Sequence, residues 1–123
     1  MKGALPTLTR AEAEIMQLLW TRGRATIHEL VEDLPRPVAY TTVLTLVRIL
    51  EKKGYVKHAK DGRAHIYEPL IGRQEATRSE IRHLVGRFFR DSHEALVLNI
   101  LEDNELEAAE LKRLRGMLEK EEK

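Results

Sequence analysis

Thr41, Thr45, Arg48 and Lys52 recur at i, i+4, i+7 and i+11 in the run VAYTTVLTLVRILEKKG of residues 38–54, so a helix would set them in one stripe. Their chemistry is that of a hydrogen-bonding comb. A threonine presents a hydroxyl to a base edge and a methyl to thymine, an arginine aims two parallel donors at a guanine, and a lysine neutralises a phosphate. The opposite side of the same helix holds Val43, Leu46, Val47 and Leu50 at i, i+3, i+4 and i+7, with Leu44 at the margin, and that side must meet a core. On these grounds Thr41, Thr45 and Arg48 are expected to face bases, and Tyr40, Thr42, Lys52 and Lys53 to face phosphates. An ordinary helix with a solvated polar face gives the same pattern, so the surrounding chain has to decide.

Other chemistries find little material. The chain has no cysteine, which excludes disulfides, thiolate metal sites and thiol nucleophiles and suits a reducing compartment. Ser79 and Ser92 are the only serines, and neither stands in a nucleophile-elbow glycine pattern. No glycine-rich phosphate loop and no metal-binding pair on one helix is visible. His58 and His65 flank a turn but have no carboxylate or thiolate in register, which makes a poor zinc site. His28, His83 and His93 stand singly and read as surface residues. No catalytic residue, metal or cofactor is therefore expected, and the protein is not read as an enzyme.

The elements that position the stripe can be taken in order. Thr9 and Glu12 have the T-x-x-E spacing of a capping box, so a first helix starts there, with Ala11, Ile15, Leu18 and Leu19 inward and Met16 and Trp20 broadening that face. Gly23 ends it. Thr26 and Glu29 repeat the box and open a short helix over 27–34, which Pro35 and Pro37 stop. The stripe helix follows near Tyr40 or Thr41. After it, YVKHAK and RAHIYEP flank Asp61-Gly62, a dipeptide suited to a two-residue hairpin turn. With a loop of only those two residues, Lys60 faces Arg63, His58 faces His65 and Val56 faces Tyr67, and Lys60 and Arg63 at the tip suit phosphates. Helix, turn, helix and hairpin in this order make a winged helix-turn-helix.

Pro69 and Gly72 mark the boundary between a DNA-binding domain over 1–71 and a helical domain over 72–123. Beyond them Ile81, Leu84, Val85, Phe88 and Phe89 lie at i, i+3, i+4, i+7 and i+8 and predict a helix over 73–90. Ser92 can cap a shorter helix through Leu101, and Asn104 a last one carrying Leu106, Leu111, Leu114, Met117 and Leu118. These apolar faces have no partner in the first 70 residues. They could pack on one another as a subdomain, or clasp those of a second copy, which is the expectation for a helix-turn-helix protein reading two half-sites. Ile81, Leu84, Val85, Phe88, Phe89, Leu96, Leu101, Leu114 and Leu118 are the candidate dimer contacts. The fold class is thus mainly α with a small antiparallel β wing and a C-terminal dimerisation arm.

The net charge of +1 hides an uneven distribution. Residues 36–67 hold seven Lys or Arg against Glu51 and Asp61, whereas residues 102–123 hold eight acids against five bases. A polyanion is the natural partner of the first stretch and not of the second. The N-terminal residues lack the apolar run of a signal peptide, and charges interrupt every later apolar segment, so a cytoplasmic location is expected.

Three runs, LTRAEAEIMQLLW, AYTTVLTLVRILEKKGYV and GRAHIYEP, closely resemble the penicillinase-repressor (BlaI/MecI) family of bacterial transcription factors, and the likeness covers nearly the whole chain. The resemblance implies a homodimeric repressor on a palindromic double-stranded DNA operator, with its recognition helix on residues 41–53 and its wing on 57–67. It also implies a membrane sensor metalloprotease as partner, because ALVLNILED resembles the segment that such a protease cuts after asparagine. That bond would be Asn99-Ile100, although the family pattern has phenylalanine where this chain has Ile100. The copper-responsive branch, with its cysteine cluster, is excluded. The alternative from the residues themselves is a winged-helix adaptor that binds protein without reading DNA, for which the basic stretch would be unnecessary.

Overall fold

The computed structural model describes residues 5–103 and 106–121. Its elements are α1 (Arg10–Arg22), α2 (Ile27–Asp33), α3 (Tyr40–Lys52), β1 (Val56–Asp61), β2 (Ala64–Pro69), α4 (Arg73–Phe88), α5 (His93–Leu101) and α6 (Ala108–Glu121). The first two helices begin as their capping boxes require. Thr9 accepts from the Glu12 amide while Glu12 accepts from the Thr9 amide, and Thr26 and Glu29 do the same, so two otherwise unsatisfied amides are paired at each end. Gly23 closes α1 at φ +90°, a conformation that a side chain would oppose. At the end of α2, Leu34 is already extended, as the residue before Pro35 must be.

The core forms where the apolar faces of α1, α2 and α3 converge. Ile15, Met16 and Leu19 meet Ile27 and Leu30, and Val43, Val47 and Leu50 close the group from α3. Tyr55, Val56 and Tyr67 bring the base of the hairpin into the same core. The hairpin is antiparallel, and it is also held laterally: Ala25 and Tyr67 exchange both backbone hydrogen bonds, at 2.9 and 2.8 Å. Among the described residues no helix is long and apolar enough to cross a membrane.

The hairpin register differs from expectation by two residues. His58 faces Tyr67, Lys60 faces His65, Val56 faces Pro69, and Asp61 pairs with Ala64, leaving Gly62 and Arg63 as the loop. The cause is local. Gly62 takes φ +65° while Arg63 does not enter the left-handed region, the signature of a two-residue turn with glycine first. The His58 and His65 rings still stack, 4.8 Å apart, but as diagonal neighbours.

The chain divides into compact units that end at His83 and begin at Leu84, not at the 71/72 junction. The first half of α4 belongs with the winged helix because Ala76 is in its core, Ser79 is buried, and the Trp20 indole donates to the Ile71 carbonyl at 2.9 Å. The helix expected over 73–90 stops at Phe88, and Arg90 and Asp91 turn the chain with positive φ before Ser92 caps α5. The expected Asn104 cap lies outside the described residues. In the second unit α5 and α6 bury no residue completely, and Val97, Ile100, Leu101, Leu114, Met117 and Leu118 line an apolar groove between them.

Glu12 does more than cap α1. It is 3% exposed, and the Lys53 ammonium just beyond α3 donates to it at 2.6 Å. Burial pushes the Glu12 pKa up, but the bonds from Lys53 and from the Thr9 amide, with the Lys53 charge, outweigh it and leave the carboxyl below its ordinary 4.5. A depressed folded pKa contributes stability that is complete above pH 4.5 and is lost as the pH falls through the folded value. Glu12→Gln should therefore be destabilised by about 1–3 kcal/mol near neutrality. In thermal melts at successively lower pH this deficit should shrink, and a deficit independent of pH would show that the charge contributes nothing.

Candidate nucleic-acid interface

The stripe is presented as its spacing requires. Val43, Val47 and Leu50 are fully buried, which turns Thr41, Thr45, Arg48 and Lys52 outward, and all four are exposed along a helix of 13 residues. Leu46, expected in the core, is only half-buried, at its edge. The Thr45 hydroxyl donates to the Thr41 carbonyl at 2.9 Å, which fixes its proton inward and leaves oxygen lone pairs and the methyl outward. Unlike α1 and α2, α3 starts at Ala39 without a side-chain cap. The Thr42 amide donates to the Ala39 carbonyl at 3.0 Å, but the Tyr40 and Thr41 amides before it have no side-chain cap, and a helix N-terminus in that state favours a phosphate oxygen.

Between α3 and the wing lies a cleft of about 440 Å³. Arg48 and Arg63 line it together with His28 and His65, over a floor that includes Ile27 and Leu44. Tyr40 joins it, with its ring 4.7 Å from that of His28. The spacing of the sequence pointed to Arg48, Tyr40 and Arg63 but missed His28 and treated His65 only as half of a histidine pair. Both reach the cleft through the Ala25–Tyr67 bridge, which draws the start of α2 beside β2. A contact of this range leaves no local pattern. Among the described residues no three metal-ligating side chains converge, the His58–His65 pair included.

Of the seven cations in residues 36–67, three are already engaged. Arg36 makes a two-pronged pair with Glu14 at 2.8 Å, Lys57 pairs with Glu68 at 3.2 Å, and Lys53 is held by Glu12 and by the Thr7 carbonyl at 2.8 Å. Lys53 thus departs from its expected place on a phosphate, because α1 offers it a buried carboxylate. Arg48, Lys52, Lys60 and Arg63 make no ion pair among the described residues and remain available to an anion.

The candidate dimer contacts divide in the same way. Ile81, Leu84, Phe88 and Leu118 are exposed, Phe88 by 67%, while Phe89, Leu96, Leu101 and Leu114 are half-buried. Val85 is the exception. It is 1% exposed and already enclosed by its own chain, so it has no surface left for a partner. Asn99 and Ile100 are exposed but lie inside α5.

A three-helix head with a basic recognition helix and a two-stranded wing defines a winged helix-turn-helix protein. The sequence profile of the penicillinase repressor family matches residues 8–120, and the chain belongs to that family. It is 28% identical over 117 residues to the penicillinase repressor of Bacillus licheniformis, covering 94% of this chain and 91% of that one. Over 74 residues it is 40% identical to the transcriptional regulator BlaI of Mycobacterium tuberculosis, spanning 58% of this chain and 54% of the relative. The solution structure of monomeric Bacillus licheniformis BlaI in complex with the blaP half-operator is similar with a TM-score of 0.52 at 28% identity, over 60% of this chain and 93% of that one.

Two neighbouring lysines now separate. Lys52→Ala should reduce the slope of log affinity against log salt by about 0.9 with little change in stability. Lys53→Ala should leave that slope unchanged and lower the unfolding midpoint in urea. Salt titrations of duplex binding beside equilibrium denaturation distinguish them, and equal slopes lost by both would return Lys53 to the phosphate set.

Proposed function

We propose that this chain is a DNA-binding transcriptional repressor that acts in the cytoplasm as a homodimer on a palindromic operator. The observation that carries the reading is the outward stripe of α3 flanked by cations that make no ion pair among the described residues. Thr41, Thr45 and Arg48 face base edges in the major groove. Tyr40, Thr42 and Lys52, with Lys60 and Arg63 on the wing, hold phosphates, and phosphate contacts set register while base contacts set sequence. The complex of a relative with a half-operator supports this docking. Repression follows from occupancy, since a protein clamped over a promoter excludes polymerase.

The dimer is supported by the arm. Helices α5 and α6 expose Val97, Leu98, Ile100, Met117 and Leu118 and enclose no residue completely, so a second copy would supply the core that one copy leaves open. Release from DNA by a membrane sensor metalloprotease at Asn99-Ile100 would require α5 to open, because a protease binds an extended strand and this bond sits within a helix.

Arg48→Ala should lose about 1–3 kcal/mol on the cognate duplex and much less on a random one. Phe88→Glu and Leu118→Glu should convert a species of twice the chain mass into monomer in sedimentation equilibrium and weaken full-operator binding far more than half-operator binding. Absence of any duplex binding at low salt would instead favour the protein adaptor.

A further inference from the structure

Two polar side chains, Glu12 and Ser79, are buried among the described residues, and neither reaches the DNA-binding stripe. Both grip the same short segment, residues 5–9, which leads into α1. On one flank Ser79 Oγ accepts from the Leu5 amide at 2.8 Å and donates to the Leu5 carbonyl at 3.4 Å. His83 Nε2 bonds to that same carbonyl, and Thr7 donates to Glu80 at 3.5 Å. On the other flank the Tyr55 hydroxyl donates to the Pro6 carbonyl at 2.6 Å, and Lys53 donates to the Thr7 carbonyl at 2.8 Å. Three successive carbonyls thus bridge two elements: the first is held by α4, the next two by residues just past the end of α3.

The segment adds little to the core. Pro6, Thr7 and Thr9 are exposed, and Leu5 and Leu8 are only half-buried, yet ordering an extended stretch costs backbone entropy at every residue. Nor does α4 dock strongly by itself. In its first half only Ala76 enters the apolar core, and the Arg73 guanidinium 5.5 Å from the Trp20 ring adds an exposed contact at its start, so the apolar grip on the helix is weak. The polar bonds therefore choose the register: sliding α4 by one turn would bury the Ser79 hydroxyl without a partner.

From this geometry we infer that residues 5–9 are a clasp locking α4 to the DNA-reading head, and that Ser79, Tyr55 and Lys53 are positioning residues for binding across two half-sites. The inference rests on the dimeric operator reading above. Helix α4 continues unbroken from Arg73 to Phe88, and it is the element by which the chain leaves the reading head. Two half-sites at fixed separation demand that this departure be the same in every molecule.

The test uses the full-length Tyr55→Phe/Ser79→Ala double variant, which removes the Pro6 bond on one flank and both Ser79–Leu5 bonds on the other with minimal loss of volume. The unaltered chain first selects a palindromic duplex from a random pool. The variant is then titrated against that duplex, against one half-site, and against duplexes with the half-sites moved apart by about one or two base pairs. Half-site affinity should stay unchanged, full-site affinity should fall about tenfold, and the preference for one spacing should flatten. Parallel losses on half and full sites, or an intact spacing preference, overturn the clasp. A pool that yields no palindrome refutes the dimeric operator instead, and hydrogen exchange then judges the clasp alone. The variant should lose amide protection along residues 73–83 and keep it at Ile15 and Val47, whereas loss everywhere or nowhere overturns the inference.

Discussion

Everything the stripe can do depends on the burial of Val43, Val47 and Leu50 against α1 and α2. Those three side chains fix the rotation of α3 about its axis. A turn of one residue, about 100°, would drive Thr45 or Arg48 into hydrocarbon and expose aliphatic surface, so the reading face is determined by what lies behind it. The ends are fixed separately: Arg36 ties the turn before α3 to Glu14, and Lys53 ties its far end to Glu12. The same helix α1 anchors both.

Charge is sorted by these attachments. Cations that meet a carboxylate of the fold become braces, and those that do not are left facing outward. A count of lysines and arginines in a stretch overstates the charge offered to a polyanion, because desolvated or hydrogen-bonded pairs are unavailable to it. Only the partners distinguish Lys52 from Lys53, adjacent in sequence and opposite in consequence.

Much of this was legible in the sequence. Both capping boxes, the proline-imposed stop of α2, the two faces of α3 and the Ser92 start of α5 are local patterns whose physics acts within a few residues. The parts that were not legible are long-range. The Ala25–Tyr67 bridge carries no local sign, and with it the histidines of the cleft were missed. The hairpin slipped by two residues because glycine can occupy either central position of a tight turn, and the backbone angle, not the dipeptide, settles which. Lys53, Val85 and the first half of α4 were misjudged for a related reason, since helical periodicity identifies a face but not what covers it.

The lateral bridge at Tyr67 has another effect. It engages the outer border of β2 at one residue, whereas among the described residues no strand pairs with the outer border of β1. An open border of this kind recruits strands from other molecules unless charge repels them. Lys60, which makes no ion pair among the described residues, stands on that strand, and a lysine on an open border opposes edge-to-edge assembly when no nucleic acid is present to shield it.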